Sequence, residues 1–115
     1  MDLRGAVALV TGGNGGLGQR ICHALAKEGV HIAVMYAQSR DQAEDVVRRL
    51  ASSHEIHAAA FSCDITDATA VSRVVGDITA RFGRLDILVN VRKTSPRSPL
   101  NSSDRGVSRL KVVAY

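Results

Sequence analysis

The stretch Thr11-Gly12-Gly13-Asn14-Gly15-Gly16-Leu17-Gly18 has residue types and spacing that could do chemistry, and the chemistry is the binding of an anion by bare main chain. It follows five apolar residues, Ala6 to Val10, and opens a run with apolar positions at Leu17, Ile21, Ala24 and Leu25. The first N–H groups of a helix have no intrahelical partner and lie at the positive end of its dipole, so a phosphate placed there gains both hydrogen bonds and charge. Three glycines divide the work. Gly12 permits a tight exit from the strand, Gly16 lets linked phosphates approach the backbone, and Gly18 lets the helix press on the sheet.

The elements that must position this turn are legible in the periodicity. Gly29 closes the first helix, and His31 to Tyr36 is a mostly apolar second strand, so a strand, a helix and a strand form one right-handed crossover unit. Ser39 and Gln42 have the spacing of a capping box ahead of Ala43, Val46, Val47 and Leu50 on one helical face. A third strand spans Ile56 to Phe61. Thr66 or Asp67 then caps a helix whose inward residues are Val71, Val74, Val75, Ile78 and Phe82, with Gly83 ending it. Leu85 to Asn90 is the fourth strand. This alternation predicts an α/β fold, a partial Rossmann fold: a parallel four-stranded sheet in the order 3-2-1-4 with helices on both faces.

The chain of 115 residues is at most one domain. Residues 1–90 form the dinucleotide-binding half-domain in this reading, and residues 91–115 a tail of different character. The tail holds both prolines and five serines, with six Lys or Arg against one acid, while residues 1–90 carry nine basic and ten acidic side chains. The net charge of +4 therefore belongs to the tail and gives no reason to expect nucleic acid, a conclusion the 3% aromatic content reinforces. The tail reads as disordered, with only Val107 to Tyr115 apolar enough for a short helix or strand.

Cys22 and Cys63 lack CxxC spacing and lie among apolar neighbours, so they read as buried, reduced thiols, which suits a cytoplasmic protein. No apolar run reaches the ~18 residues of a membrane span. His23, His31, His54 and His57 share no metal-ligand spacing, and no metal site is expected.

The Thr-Gly-x-x-x-Gly-x-Gly spacing resembles that of the short-chain dehydrogenase/reductase family, in particular its 3-oxoacyl-carrier-protein-reductase-like branch. Thr11, Gly12, Gly16 and Gly18 match it residue by residue, with Asn14, Gly15 and Leu17 in the same turn. The resemblance implies an oxidoreductase that moves a hydride between a nicotinamide dinucleotide and a carbonyl or alcohol. It also implies that Asp64 meets the adenine amino group and that Ile65 lines the ring. Asp64 has an alternative as a strand-end or capping aspartate. At the adenosine ribose, after the second strand, stand Tyr36, Ala37, Gln38, Ser39 and Arg40. An acid there would repel a 2′-phosphate; a guanidinium attracts it, so NADP is favoured and NAD is the alternative. The alternative for Arg40 is a place in solvent as a first-turn helix residue, and Gly15 stands where many NADP-preferring relatives carry a basic residue.

Asn90 matches the first residue of the family's Asn-Asn-Ala-Gly landmark, but Val91-Arg92-Lys93 follows. The resemblance covers residues 4–90 and then breaks off, as in a fragment continued through another reading frame, a retained intron or an alternative exon. The family's catalytic Ser, Tyr and Lys have no counterpart: Tyr115 is terminal, and Ser108-Arg109-Leu110-Lys111 contains no Tyr. The expectation is a cofactor-binding part that is inactive by itself, a small carbonyl substrate being handled only in a complete homologue. The alternative is a non-catalytic nucleotide-binding or oligomerisation module that associates through the exposed edge of the fourth strand.

Overall fold

The computed structural model describes residues 3–13, 15–91 and 111–114, the last four by their backbone. The elements in chain order are β1 (Val7–Thr11), α1 (Gly16–Lys27), β2 (His31–Tyr36), α2 (Arg40–Ser53), β3 (Ala58–Ser62), α3 (Ala68–Phe82), β4 (Ile87–Asn90) and β5 (Lys111–Ala114). They form one sheet in the order β3-β2-β1-β4-β5 with every pairing parallel. The Rossmann-like order 3-2-1-4 expected from the alternation is present.

Apolar runs become strands here because both faces of the sheet are covered. Ala8, Val10, Ile32, Val34, Tyr36, Ile87 and Val89 face one way and pack with Cys22 and Ala26 of α1 and Ala43, Val46 and Leu50 of α2. Their strand neighbours Val7, Leu9, Ala33, Met35 and Leu88 face the other way, against Val71, Val74, Val75 and Ile78 of α3. In α1 the buried residues are Gly18, Cys22 and Ala26. Of the expected face, Ile21 and Leu25 pack half-buried against this core, whereas Ala24 is exposed and Leu17 is 46% exposed. The fully buried stripe runs through the small side chains Gly18, Cys22 and Ala26, where the helix backbone comes close to the sheet.

The helix ends follow their local chemistry. Gly29 (φ 84°) and Gly83 (φ 84°) take the left-handed conformation and close α1 and α3. Of the two residues able to cap α3, Asp67 does so, its Oδ1 accepting from the N–H groups of Thr69 (3.0 Å) and Ala70 (3.2 Å). Ser39 precedes α2 as its N-cap, yet its side chain makes no cap hydrogen bond. The expected capping box therefore fails at its serine, because a capping hydroxyl needs extended backbone and Ser39 is left-handed (φ 64°, ψ 60°).

Within Val107 to Tyr115, the stretch apolar enough for a short helix or strand, a strand forms. Lys111–Ala114 pairs in register with Ile87–Asn90, so the edge of β4 expected to be bare carries β5. A parallel return needs a dozen or more residues of connection, and the segment between β4 and β5 is long enough. The predicted disorder of 92–110 and of Tyr115 lies outside the described residues.

Asp86 ties the start of β4 to β1. Its backbone N–H donates to Val7 O (2.9 Å), its Oδ2 accepts the Val7 N–H (3.0 Å), and Arg84 donates to both carboxylate oxygens at 2.7 and 2.8 Å. The Arg84 hydrogen bonds, with help from the Val7 N–H, hold the Asp86 carboxyl below the ordinary carboxylate range. A carboxyl with a depressed folded-state pKa stabilises above its unfolded pKa, and that stability is lost as pH falls through the folded value. Asp86→Ala, which strands the Val7 N–H, should cost about 1–3 kcal/mol at neutral pH. Urea titrations from pH 7 down to pH 3 check it: the deficit should narrow toward acid, and a constant deficit would show that the carboxylate charge plays no part.

Candidate functional site

The parallel register gathers four chain segments at one edge of the sheet. Thr11 pairs with Met35 and with Asn90, and Tyr36 pairs with Ser62, so the turns after β1, β2, β3 and β4 all leave from the C-terminal ends of the strands. β1 lies between β2 and β4, where the chain stops building toward β3 and starts building the other way. In open α/β sheets the crevice at such a reversal receives ligands.

The glycine turn crosses that crevice. Gly12 (φ 65°) donates its N–H to Met35 O (2.9 Å), the Gly15 N–H reaches back to Gly12 O (3.0 Å), and Gln19 N donates to Gly15 O (2.8 Å) as α1 begins. A Cβ built on Gly16 meets nothing within 4 Å, so this stretch of main chain faces open space. A Cβ on Gly18 would collide with the Gly12 carbonyl oxygen and stand 2.7 Å from Gly13 Cα. Gly13 is a third constraint, one that sequence reasoning missed: its Cβ would lie 3.0 Å from Val34 Cγ1, 3.2 Å from Val10 O and 3.3 Å from Cys22 Sγ. Spacing could not reveal this, because the crowding comes from β1, β2 and α1 together. Asn14 lies outside the described residues. Gly15 precedes α1 without a side-chain cap, and the first turn of α1 carries no acid of its own to set against the positive end of the dipole. Leu17 stands beside Gly16 as the exposed large apolar side chain among the described residues.

Thr11 and Asn90 form the buried floor. The Thr11 hydroxyl donates to Asn90 Oδ1 (3.1 Å), with Val89 O at 3.4 Å, and accepts the Val91 N–H (3.0 Å). These residues are 3% and 5% exposed, so a polar clamp fixes the end of β4 against the start of the glycine turn.

On the other side, Tyr36 ends β2 with its side chain in the core, and Ser39 and Arg40 lead into α2. Arg40 Nε donates to Glu44 Oε1 at 3.1 Å, and Glu44 chiefly, with Tyr36 and Asp41, holds the guanidinium above its ordinary pKa. Asp64 follows β3 at the surface. Its Oδ1 accepts from the Thr66 N–H (2.9 Å) and hydroxyl (2.6 Å), which lower its pKa and keep it ionised. The helix-capping role falls to Asp67, while Ile65 packs partly buried against the core on the α3 side.

Burial pushes the Cys22 thiol up to about 12 and, with the help of Asp64 and Asp67, raises that of Cys63, which disfavours the thiolate at both. The histidines pair with one another, His23 Nδ1 lying 3.3 Å from His54 Nε2, and His31 Nδ1 accepting the His57 N–H at 2.9 Å. Burial and His57 lower the His31 pKa. Among the described residues no three His, Cys, Asp or Glu side chains cluster to hold a metal, and no helix is long and apolar enough to cross a membrane.

The short chain dehydrogenase family model matches residues 6–104. The chain belongs to that family. It is 39% identical over 83 residues to a 3-oxoacyl-acyl-carrier-protein reductase of Staphylococcus aureus, an alignment that takes in 72% of this chain and 33% of that protein. The chain thus spans about a third of the length of such relatives. Solved structures agree with the fold. A NAD+-bound xylitol dehydrogenase superposes with a TM-score of 0.73 at 31% identity, over 78% of this chain and 34% of its own. An NADPH-dependent 3-quinuclidinone reductase of Rhodotorula rubra gives 0.76 at 25% identity, over 87% and 37%. Short chain dehydrogenases of both cofactor types therefore share this sheet, and the family match runs past Asn90 into the segment where the sequence motif breaks off.

Proposed function

We propose that this chain holds a nicotinamide dinucleotide along the C-terminal edge of its sheet, NADP(H) ahead of NAD(H), as the cofactor-binding part of an oxidoreductase acting on carbonyls or alcohols. The observation that carries the proposal is the bare main chain at Gly16, open to solvent above a turn that Gly18 allows to be so tight. The linked phosphates lie on the N–H groups of Gly15 to Leu17, with Leu17 covering them. Thr11 and Asn90 hold the floor on the nicotinamide side. Asp64 accepts from the adenine amino group with Ile65 against the ring, and Ser39 and Arg40, beside Tyr36, meet the adenosine ribose and its 2′-phosphate. A bound dinucleotide supplies the hydride.

These residues bind and orient; the Ser, Tyr and Lys that polarise a carbonyl and move its proton have no counterpart in the sequence. A phenol of pKa ≈ 10 works near neutral pH only beside a cation, and the 115 residues contain no Tyr-x-x-x-Lys pair. These 115 residues by themselves are expected to bind without turnover. Buried, reduced cysteines suit a cytoplasmic setting. A non-catalytic nucleotide-binding module is the second reading, favoured by the same lack and by β5, the outermost strand on its side among the described residues and an edge for self-association.

Calorimetric titration with NADPH and NADH tests the proposal. Saturable binding of both, tighter for NADPH, is expected, without NADPH oxidation when a small ketone is added. Failure of both cofactors to bind overturns it, and ketone-dependent oxidation overturns the inactive reading.

A further inference from the structure

The ion pair on the first turn of α2 is oddly placed for a structural device. Arg40 puts a cation at the positive end of the helix dipole, where it is disfavoured, and it precedes Glu44 in the pair, the reverse of the stabilising order. The two side chains are 75% and 47% exposed, so the contact adds little to the fold. Immediately before it, Ser39 is the non-glycine residue with positive φ among the described residues, and such local cost concentrates where a segment serves binding. The helix N-terminus, a guanidinium and a left-handed turn together create an anion-attracting corner, and Glu44 partly neutralises it.

We propose that Glu44 is a specificity-determining residue that acts through Arg40: it draws on the guanidinium and so sets how strongly the site prefers a 2′-phosphorylated dinucleotide over its unphosphorylated counterpart. This rests on the reading that the strand-end edge holds a dinucleotide. Contact through Nε leaves Glu44 off the terminal nitrogens with which an arginine grips a phosphate in a fork, so a phosphate meets a guanidinium whose charge Glu44 already partly offsets. Glu44 and a 2′-phosphate are like charges competing for one cation. The unphosphorylated dinucleotide offers only hydroxyls there and is indifferent to that competition.

The test is calorimetry on the full chain with NADPH and NADH, for the parent, Glu44→Gln, Arg40→Ala and the double variant, with circular dichroism to confirm α2. Glu44→Gln should tighten NADPH binding about threefold to tenfold while leaving NADH within about twofold. The gain should fall to within about twofold on the Arg40→Ala background, and shrink at 1 M salt, where the screening length is about 3 Å. Equal changes for both cofactors, no change for either, or an undiminished gain without Arg40 overturn the proposal. A parent chain that binds neither dinucleotide overturns the underlying reading as well, and that result is distinct from one in which both bind and Glu44→Gln shifts nothing.

Discussion

Gly16→Trp should strip this chain of dinucleotide affinity while leaving its fold standing. Nothing lies within 4 Å of a Cβ at Gly16, so the indole projects into the space a pyrophosphate needs and meets no protein atom near its root. Hydrogen bonds from main-chain N–H groups to a charged phosphate contribute about 1.5–3 kcal/mol each, so losing two of them weakens binding by about a hundredfold or more. The stability change should stay within about 1 kcal/mol, because glycine is a poor helix residue and any replacement at this exposed position recovers part of that deficit. Calorimetry for NADPH and thermal unfolding by circular dichroism, run on the same preparation, check both halves. NADPH binding equal to the parent's would place the phosphates somewhere other than the turn.

Sheet order and element order were legible because continuous apolar runs alternating with 3.6-residue periodicity leave few arrangements open. β2 was bounded correctly from His31 to Tyr36. β3 was not: its predicted start, Ile56, lies two residues before the ladder, since Ile56 is buried from the connection beneath α2 rather than from the strand. Periodicity reports burial and cannot say which element supplies it. The fifth strand was less legible. Only its apolar content marked Val107 to Tyr115, and pairing with β4 depends on a partner 24 positions earlier in sequence, a distance over which local pattern carries no register.

At the site, spacing identified the glycines but not the pressures on them. Gly18 was expected to admit the helix to the sheet, and the atom it makes room for is the Gly12 carbonyl oxygen, six residues back. The demand on Gly13 is not legible in the spacing because most of its crowding, from Val34 and Cys22, is tertiary. The polar clamp of Thr11, Asn90 and the Val91 N–H was equally invisible: two buried polar residues 79 positions apart satisfy each other only once β1 and β4 are parallel neighbours. Arg40 could be named from the sequence, but its pairing with Glu44 required seeing which of the charges along α2 its side chain chooses.

Gly18→Ala is expected to be the most damaging single-methyl substitution in the chain. Helix propensity alone predicts the opposite sign, since alanine in a helix is favoured over glycine by about 1 kcal/mol. The new Cβ would meet the Gly12 carbonyl oxygen, with Gly13 Cα at 2.7 Å and Gly12 C at 2.9 Å, all of them main-chain atoms. That main chain is pinned through Gly12 N to Met35 O and Gly15 N to Gly12 O, so it has no rotamer with which to yield. Relief must come from α1 moving outward, which opens the contacts of Cys22 and Ala26, now 0% and 3% exposed. Overpacking of this kind costs about 3 kcal/mol or more, a large share of a domain stability of roughly 5–15 kcal/mol, and should lower Tm by about 10–20 °C. Gly76→Ala in α3 is the matched control, because its Cβ meets nothing within 4 Å and the same methyl group should there be neutral or stabilising by about 1 kcal/mol. Thermal unfolding of the two variants side by side decides between steric and propensity control: equal Tm values would mean that α1 does not press on the turn, and the tightness that leaves Gly16 open would need another cause.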